Sequence, residues 1–426
     1  MSNYNFPPRA QLKSIPELPD PFLKPDGTRV VSPEEWPAQR EYLKEMLAHY
    51  LYGHMPQGPF DTRGEVIFSR PVYNGRAVAE TVRITVGEIS FDADLIRPVT
   101  EKKVPVFTWN QFTGRHGSPA EEKVVLEHGY AVMEFDKEQL APDNGGARDS
   151  ALAKAYPDCD WGAIAMWAWG HSRLVDYLLT ADWADPDKLI ATGHSRGGKV
   201  ALCAAVYDER IALCAASGSG CGGAGCLRFL GGRYGEGVGR CETAGSINDA
   251  LGYWWTDAFA EFGARQASYS RSNFPIVTDM REMFEKIDMS KAGSTLNEDQ
   301  LPFDLHFIKA LIAPRALITT DGLGDTWANP YGTQVTWRAA QEVFDFLGVP
   351  QNNALHLREG GHEFQALDWE AIVEYCDEVF YAKPCRNNVV CFRPEKAEGP
   401  MAAMMELMDW RSTRLHYDWR DPRESK

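Results

Sequence analysis

No stretch of this chain approaches the roughly 20 consecutive apolar residues that a membrane-spanning helix needs. The opening residues, MSNYNFPPRAQLKSIPELPDPF, hold no apolar core of the kind a secretory signal carries, so none is expected in the sequence as it stands. A processed or engineered start would look the same, which leaves the compartment open. Positive charge is in deficit: Lys and Arg number 44 against 60 Asp and Glu, for a net charge of −16. That balance disfavours nucleic acid and anionic membrane surfaces as partners. It still allows one anionic ligand at a local cation. Cysteines are nine in 426 residues, a number that fits buried thiols better than a disulfide scaffold. Cys221 and Cys226 lie close together in GCGGAGC, but no second pair or nearby histidine completes a four-ligand zinc site. Neither a metal nor an organic cofactor is expected. Internal repeats and low-complexity runs are also absent.

What is present is apolar and aromatic. Hydrophobic residues make up 44 % of the chain, and the tryptophans number 13, enough for a large core. Most of them are expected in that core, with some left to stack on sugar rings. The N-terminal stretch is rich in proline and then turns helical. Ser32 is the expected N-cap, with Pro33 at N1 and Glu35 completing a capping box. Trp36, Leu43, Met46, Leu47 and Leu51 follow at helical spacing. Beyond Gly64 the pattern changes to alternating strands, EVIFSRPVY and ETVRITVG. From about residue 104 to 381, short apolar strands alternate with amphipathic helices. That order predicts an α/β fold with a mostly parallel sheet between two helical layers. Residues 1–60 read as an extension and helix packed on a catalytic domain at 61–384. A loop-rich insertion is expected at about 221–305, and residues 385–426 read as a C-terminal extension.

One motif carries chemistry. Gly193-His194-Ser195-Arg196-Gly197 fits G-x-S-x-G, with the apolar strand LIAT before it and the helix KVALCAAV after it. This is the setting of a nucleophile elbow, in which a strained turn exposes a serine hydroxyl at a helix N-terminus. A glycine-rich strand–helix turn with an idle serine is the bland alternative. A serine nucleophile needs a base and the base an orienting acid, in the chain order Ser, acid, His for an α/β-hydrolase. His362, in GGHE after the last expected strand, is the expected base; His306, His356 and His416 are the rivals. Asp325 is preferred as the acid over Asp321, because four further loop residues give it reach. Either aspartate could instead cap a turn.

At these residues the chain resembles the glucuronoyl esterases, or 4-O-methyl-glucuronoyl methylesterases, of carbohydrate esterase family 15. The likeness runs from about residue 18 to 380 through LPDPFLKPDGTRVVSPEEW, AIAMWAWGHSRLVDYL, TGHSRGGKVAL, SGCGGAGCLR, DTWANPYG and GGHEFQALDW. It implies an α/β-hydrolase fold and hydrolysis of esters of glucuronic acid, as in lignin–glucuronoxylan linkages, by a Ser-His-Asp acyl-enzyme route. It also implies that Arg196 helps hold the oxyanion, that Lys199 and Trp327 contact the sugar, and that Glu242 adds a weaker contact. Two cations at a helix start oppose the helix dipole, and an anion-stabilising site gives them a reason. In fungal members the acid is a glutamate at the place of Gly218. Here that place is empty, which favours Asp325. His194 and Glu363 stand where fungal members have bridging cysteines. The rival functions are another carbohydrate esterase, of the acetyl-xylan type, and a non-catalytic sugar-binding relative.

Overall fold

The structure is a computed structural model that describes residues 4–111, 119–228, 242–262, 297–385, 417 and 419–423. Much of the expected insertion, and residues 386–416 of the expected tail with His416, lie outside the described residues. The chain builds a central sheet from β1 (Thr62–Val72), β2 (Ala77–Val86), β3 (Ile89–Pro98), β4 (Val104–Gln111), β5 (Ala131–Asp136), β6 (Ala184–His194), β7 (Leu213–Ser217), β8 (Ala316–Gly322) and β9 (Asn353–Arg358). Its helices are α1 (Trp36–Leu47), α2 (Pro119–Glu127), α3 (Ala151–Ala155), α4 (Ala163–Leu178), α5 (Arg196–Tyr207), α6 (Ala244–Leu251), α7 (His306–Ile312), α8 (Pro330–Phe346) and α9 (Ala366–Tyr381).

The sheet order is β1-β2-β3-β5-β4-β6-β7-β8-β9. β1 to β3 and the β3–β5 pair are antiparallel, and every pairing from β5 through β4 to β9 is parallel. This is the α/β-hydrolase fold, a parallel sheet between two layers of helices. The parallel strands read as continuous apolar runs because both faces are covered. Along β4, Val106 joins the core shared with α1, α4, α5 and α7, while Phe107 and Trp109 point into the opposite core with Trp369 and Ile372 of α9. The tryptophans follow the core expectation: Trp161, Trp167, Trp254, Trp255 and Trp369 are fully buried.

α1 packs into the main core through Trp36, Leu43 and Leu47. Its start keeps Ser32 at the N-cap and Pro33 as first residue of the turn, but departs from the sequence reading in the capping box. A single 3-10 turn, Pro33–Glu35, precedes it, and Ser32 makes no capping bond through its side chain. The Ser32 hydroxyl bonds the Glu34 carboxylate instead, and Glu35 pairs with Lys24 at 2.9 Å, so neither half of the capping box is left to form. A Ser32–Glu34 bond and the Lys24–Glu35 ion pair thus take the two side chains that the box needs.

The parallel strands all end on one edge of the sheet. Strand order reverses around β4, with β5 on one side and β6 on the other. Ligands of open α/β sheets bind beyond the strand ends at such a switch point. The end of β6 and the loops after β8 and β9 meet there.

Candidate active site

β6 ends at His194 and α5 begins at Arg196, so Ser195 alone makes the turn. Its backbone sits at φ 58° and ψ −126°, a conformation that costs an L-residue about 1–3 kcal/mol. Two contacts hold it there. The Ser195 N–H donates to the Ser217 carbonyl at 2.8 Å, and α5 starts with N–H bonds from Gly198 and Lys199 to the Ser195 carbonyl. Gly193 explains the motif's first glycine: a Cβ there would lie 2.2 Å from the Gly197 oxygen.

The structure brings Ser195, His362 and Asp325 into one chain of hydrogen bonds. His362 Nε2 lies 2.9 Å from Ser195 Oγ, and His362 Nδ1 lies 2.5 Å from Asp325 Oδ2. The Asp325 side chain is 3 % exposed and that of His362 is 37 % exposed, so the pair is buried at the carboxylate and open to solvent at the imidazole. The second Asp325 oxygen accepts from the Ala328 N–H at 3.2 Å. Asp321 is buried deeper, near Lys309 and Thr333, and burial with the nearby Asp325 charge raises its carboxyl pKa. The other histidines are committed elsewhere. His306 Nε2 meets the Pro19 carbonyl at 2.9 Å, and His356 is buried against Asp368.

The empty fungal position has a local cause. Gly218 has φ +51°, and a Cβ there would press on His194 Cε1 at 2.9 Å. The same Cβ position is only 3.6 Å from Asp325 Oδ2. The Asp325 carboxylate therefore occupies the space that a side chain at 218 would reach into. His194 itself is stacked on Phe364 at 5.6 Å and 9°, with the His362 ring 4.6 Å away. Burial, then the neighbouring His362 charge, push the His194 pKa down to about 3. It is a neutral ring that packs the His362 loop against the elbow.

The remaining expected residues form a cationic wall. Lys199 Nζ, buried, donates to Glu242 Oε2 at 2.8 Å and to the Ser219 carbonyl at 2.7 Å. The same Glu242 oxygen accepts from the Cys221 N–H at 2.8 Å, and the Glu242 N–H donates to the Trp327 carbonyl at 2.9 Å. Trp327 is half-buried. Arg196 is 5 % exposed, with its guanidinium 5.0 Å from the centre of the Trp254 ring; Lys199 Nζ approaches the same ring at 5.7 Å.

Four residues here were missed in the sequence. Asp143, in the loop after β5, accepts from Arg196 Nη1 at 2.5 Å, and its Oδ2 lies 2.9 Å from Lys137 Nζ. It also accepts from Tyr253 at 2.9 Å and from Trp254 Nε1 at 3.0 Å. Burial pushes the Asp143 carboxyl up, but Arg196 and Lys137 outweigh it and hold the group well below the usual carboxylate range. Nothing in DNGG marks that role, since the pattern reads as a turn. Among the described residues the three cations are paired: Arg196 and Lys137 with Asp143, Lys137 also with Glu138 at 3.5 Å, and Lys199 with Glu242. No cluster of metal-ligating side chains occurs among the described residues.

This geometry can do acyl transfer: a hydroxyl hydrogen-bonded to an imidazole, the imidazole to a buried carboxylate, with a buried guanidinium on the residue after the serine. The comparisons agree in kind. The family model described as "Glucuronyl esterase, fungi" matches residues 81–280 and 281–348. A carbohydrate esterase of an unknown prokaryotic organism is 28 % identical, covering 84 % of this chain and 89 % of its own. The 4-O-methyl-glucuronoyl methylesterase of Phanerochaete carnosa is 26 % identical, covering 94 % and 90 %. Among solved structures, a family 15 glucuronoyl esterase from Caldicellulosiruptor kristjansonii aligns with a TM-score of 0.69 at 28 % identity, over 92 % of this chain and 98 % of that one. A promiscuous family 15 esterase from a marine bacterial metagenome aligns with 0.68 at 26 %, over 87 % and 98 %. The chain belongs to the glucuronyl esterase family.

Proposed function

We propose that this enzyme hydrolyses esters of glucuronic acid or its 4-O-methyl ether, as in lignin–glucuronoxylan linkages, through an acyl-enzyme on Ser195. The observation that carries the reading is the Ser195–His362–Asp325 hydrogen-bond chain beside Arg196 and Lys199. His362 Nε2 takes the proton as Ser195 Oγ attacks the glucuronoyl carbonyl. Asp325 holds the proton on Nδ1, which keeps Nε2 free to accept, and balances the imidazolium that forms. The charge developing on the carbonyl oxygen is met by Arg196 and by N–H groups at the start of α5. The C–O bond to the alcohol breaks, and the alcohol leaves with the proton from His362. Water, deprotonated by His362, then attacks the acyl-enzyme. Glucuronic acid departs and Ser195 regains its proton. Lys199 and Glu242 face the sugar hydroxyls, and Trp327 offers an apolar face to the ring. No metal or organic cofactor takes part.

The test is hydrolysis of methyl glucuronate, followed by titration of the acid released. The intact protein should turn it over, and Ser195→Ala should lower kcat by roughly 10⁴-fold or more, in the range seen when a triad member is lost. Binding of glucuronate by the intact protein without any turnover would make it a sugar-binding relative instead.

A further inference from the structure

Asp143 is a buried carboxylate with four side-chain donors around it, drawn from separate parts of the chain. Lys137 comes from the turn after β5, Arg196 from the elbow, and Tyr253 and Trp254 from the turn after α6. Tyr253 also donates to the Asp143 backbone carbonyl at 2.8 Å, which fixes the loop as well as the side chain. The mechanism above gives Asp143 no chemical task. A single ion pair would hold Arg196 at one point. Among the described residues its guanidinium is held at Nη1 by Asp143 and lies over the Trp254 ring, which itself donates to the same carboxylate. A planar group fixed at one nitrogen and one face has its remaining N–H directions fixed too.

We propose that Asp143 is a positioning residue that holds the Arg196 guanidinium in the orientation required by the oxyanion. Lys137 Nζ meets the same carboxylate at 2.9 Å, so Asp143 is shared between two cations and is not spent on Arg196 alone. The proposal rests on the esterase reading, and on Arg196 as part of the oxyanion site. Electrostatic stabilisation of a transition state works only if the donor is already in place when charge develops. Loss of Asp143 should therefore lower kcat and leave KM nearly unchanged.

The experiment is a double-mutant cycle between Asp143→Asn and Arg196→Ala, read as kcat and KM on benzyl glucuronate, with thermal unfolding of each variant. Arg196→Ala should lower kcat by about 10²-fold, the usual loss for one oxyanion donor. Asp143→Asn should lower kcat by roughly 30-fold in the native background, with KM within about threefold. In the Arg196→Ala background the same change should cost less than about threefold, because what it positions is gone. Tyr253→Phe removes the hydroxyl shared between the Asp143 carboxylate and its backbone carbonyl, changes no charge, and covers the case in which Asp143→Asn fails to fold. It should give a smaller loss of kcat that also vanishes without Arg196. Equal losses in both backgrounds would overturn the proposal and leave Asp143 a structural residue. A harmless Arg196→Ala would overturn both the proposal and the oxyanion role of Arg196. If no glucuronate ester is turned over, the substrate reading fails, and the cycle is then decided in the same way on p-nitrophenyl acetate.

Discussion

Replacing Asp325 by asparagine changes one atom and should nearly stop the enzyme. In the structure the Asp325 carboxylate, 3 % exposed, meets His362 Nδ1 at 2.5 Å. A carboxylate can only accept, so Nδ1 must carry the proton and Nε2 faces Ser195 Oγ with a lone pair. An asparagine amide can present its NH₂ to Nδ1. The proton then moves to Nε2, where it points at the serine and cannot take a second one. The imidazolium also loses its buried counter-charge. Loss of this acid in a triad of known behaviour costs about 10⁴ in kcat, or roughly 5 kcal/mol of transition-state stabilisation. A similar loss is expected here, measured on benzyl glucuronate with KM within a few-fold. Asp321→Asn is the matched comparison. Its raised carboxyl pKa makes the amide a near-isostere of the neutral acid, and His362 already has its partner. That variant should keep kcat within about threefold. A loss of less than tenfold in Asp325→Asn would refute the assignment of the acid, and a large loss in Asp321→Asn would move it there.

Three further outcomes follow from the same geometry. His194→Ala removes the ring stacked between Phe364 and His362. With such aromatic contacts worth about 0.5–1.5 kcal/mol, kcat should fall by roughly three- to tenfold and recover in His194→Phe; steady-state kinetics on both variants decide this. Trp327→Ala should raise KM for benzyl glucuronate by roughly three- to tenfold with little change in kcat, because the backbone carbonyl that accepts from Glu242 is kept. Equal effects on p-nitrophenyl acetate would mean that Trp327 does not face the sugar. The third outcome concerns pH. Burial pushes His171 and His194 down to about 3 and His306 to about 4. Unfolding below about pH 6.5 therefore takes up protons that the folded protein refuses, and stability falls as pH falls. The three together can cost up to roughly 4 kcal/mol at pH 5.5 relative to pH 7.5. Urea unfolding at both values checks it, and an unchanged midpoint would show that these rings are not kept neutral by the fold.

The parts of the site that were legible share one property: each is announced by its immediate neighbours in sequence. Ser195 sits in a motif whose glycine spacing the tight turn demands, and His362 follows the last apolar strand. Asp325 is preferred over Asp321 for its reach from β8, and in the structure Asp325 Oδ2 lies 2.5 Å from His362 Nδ1 while Asp321 stays buried at the end of the strand. Lys199, Glu242 and Trp327 came from the resemblance and converge in space through one buried ion pair and one backbone bond. Asp143, Lys137 and Tyr253 were not legible. Asp143 meets Arg196 across 53 residues and Tyr253 across 110, and no periodicity or cap links such positions. Ser32 does stand at the N-cap of the 3-10 turn that leads into α1, with Pro33 first in the turn, but the capping box does not close, because Ser32 bonds Glu34 and Glu35 pairs with Lys24.

The central claim is most directly tested by kcat/KM for benzyl glucuronate set against p-nitrophenyl acetate, measured with the intact enzyme and with Ser195→Ala. Preference for the glucuronate ester, with both activities lost in the variant, is the predicted result. Turnover of the acetate with none of the glucuronate ester would contradict the substrate class, and glucuronate hydrolysis that survives in Ser195→Ala would contradict the mechanism.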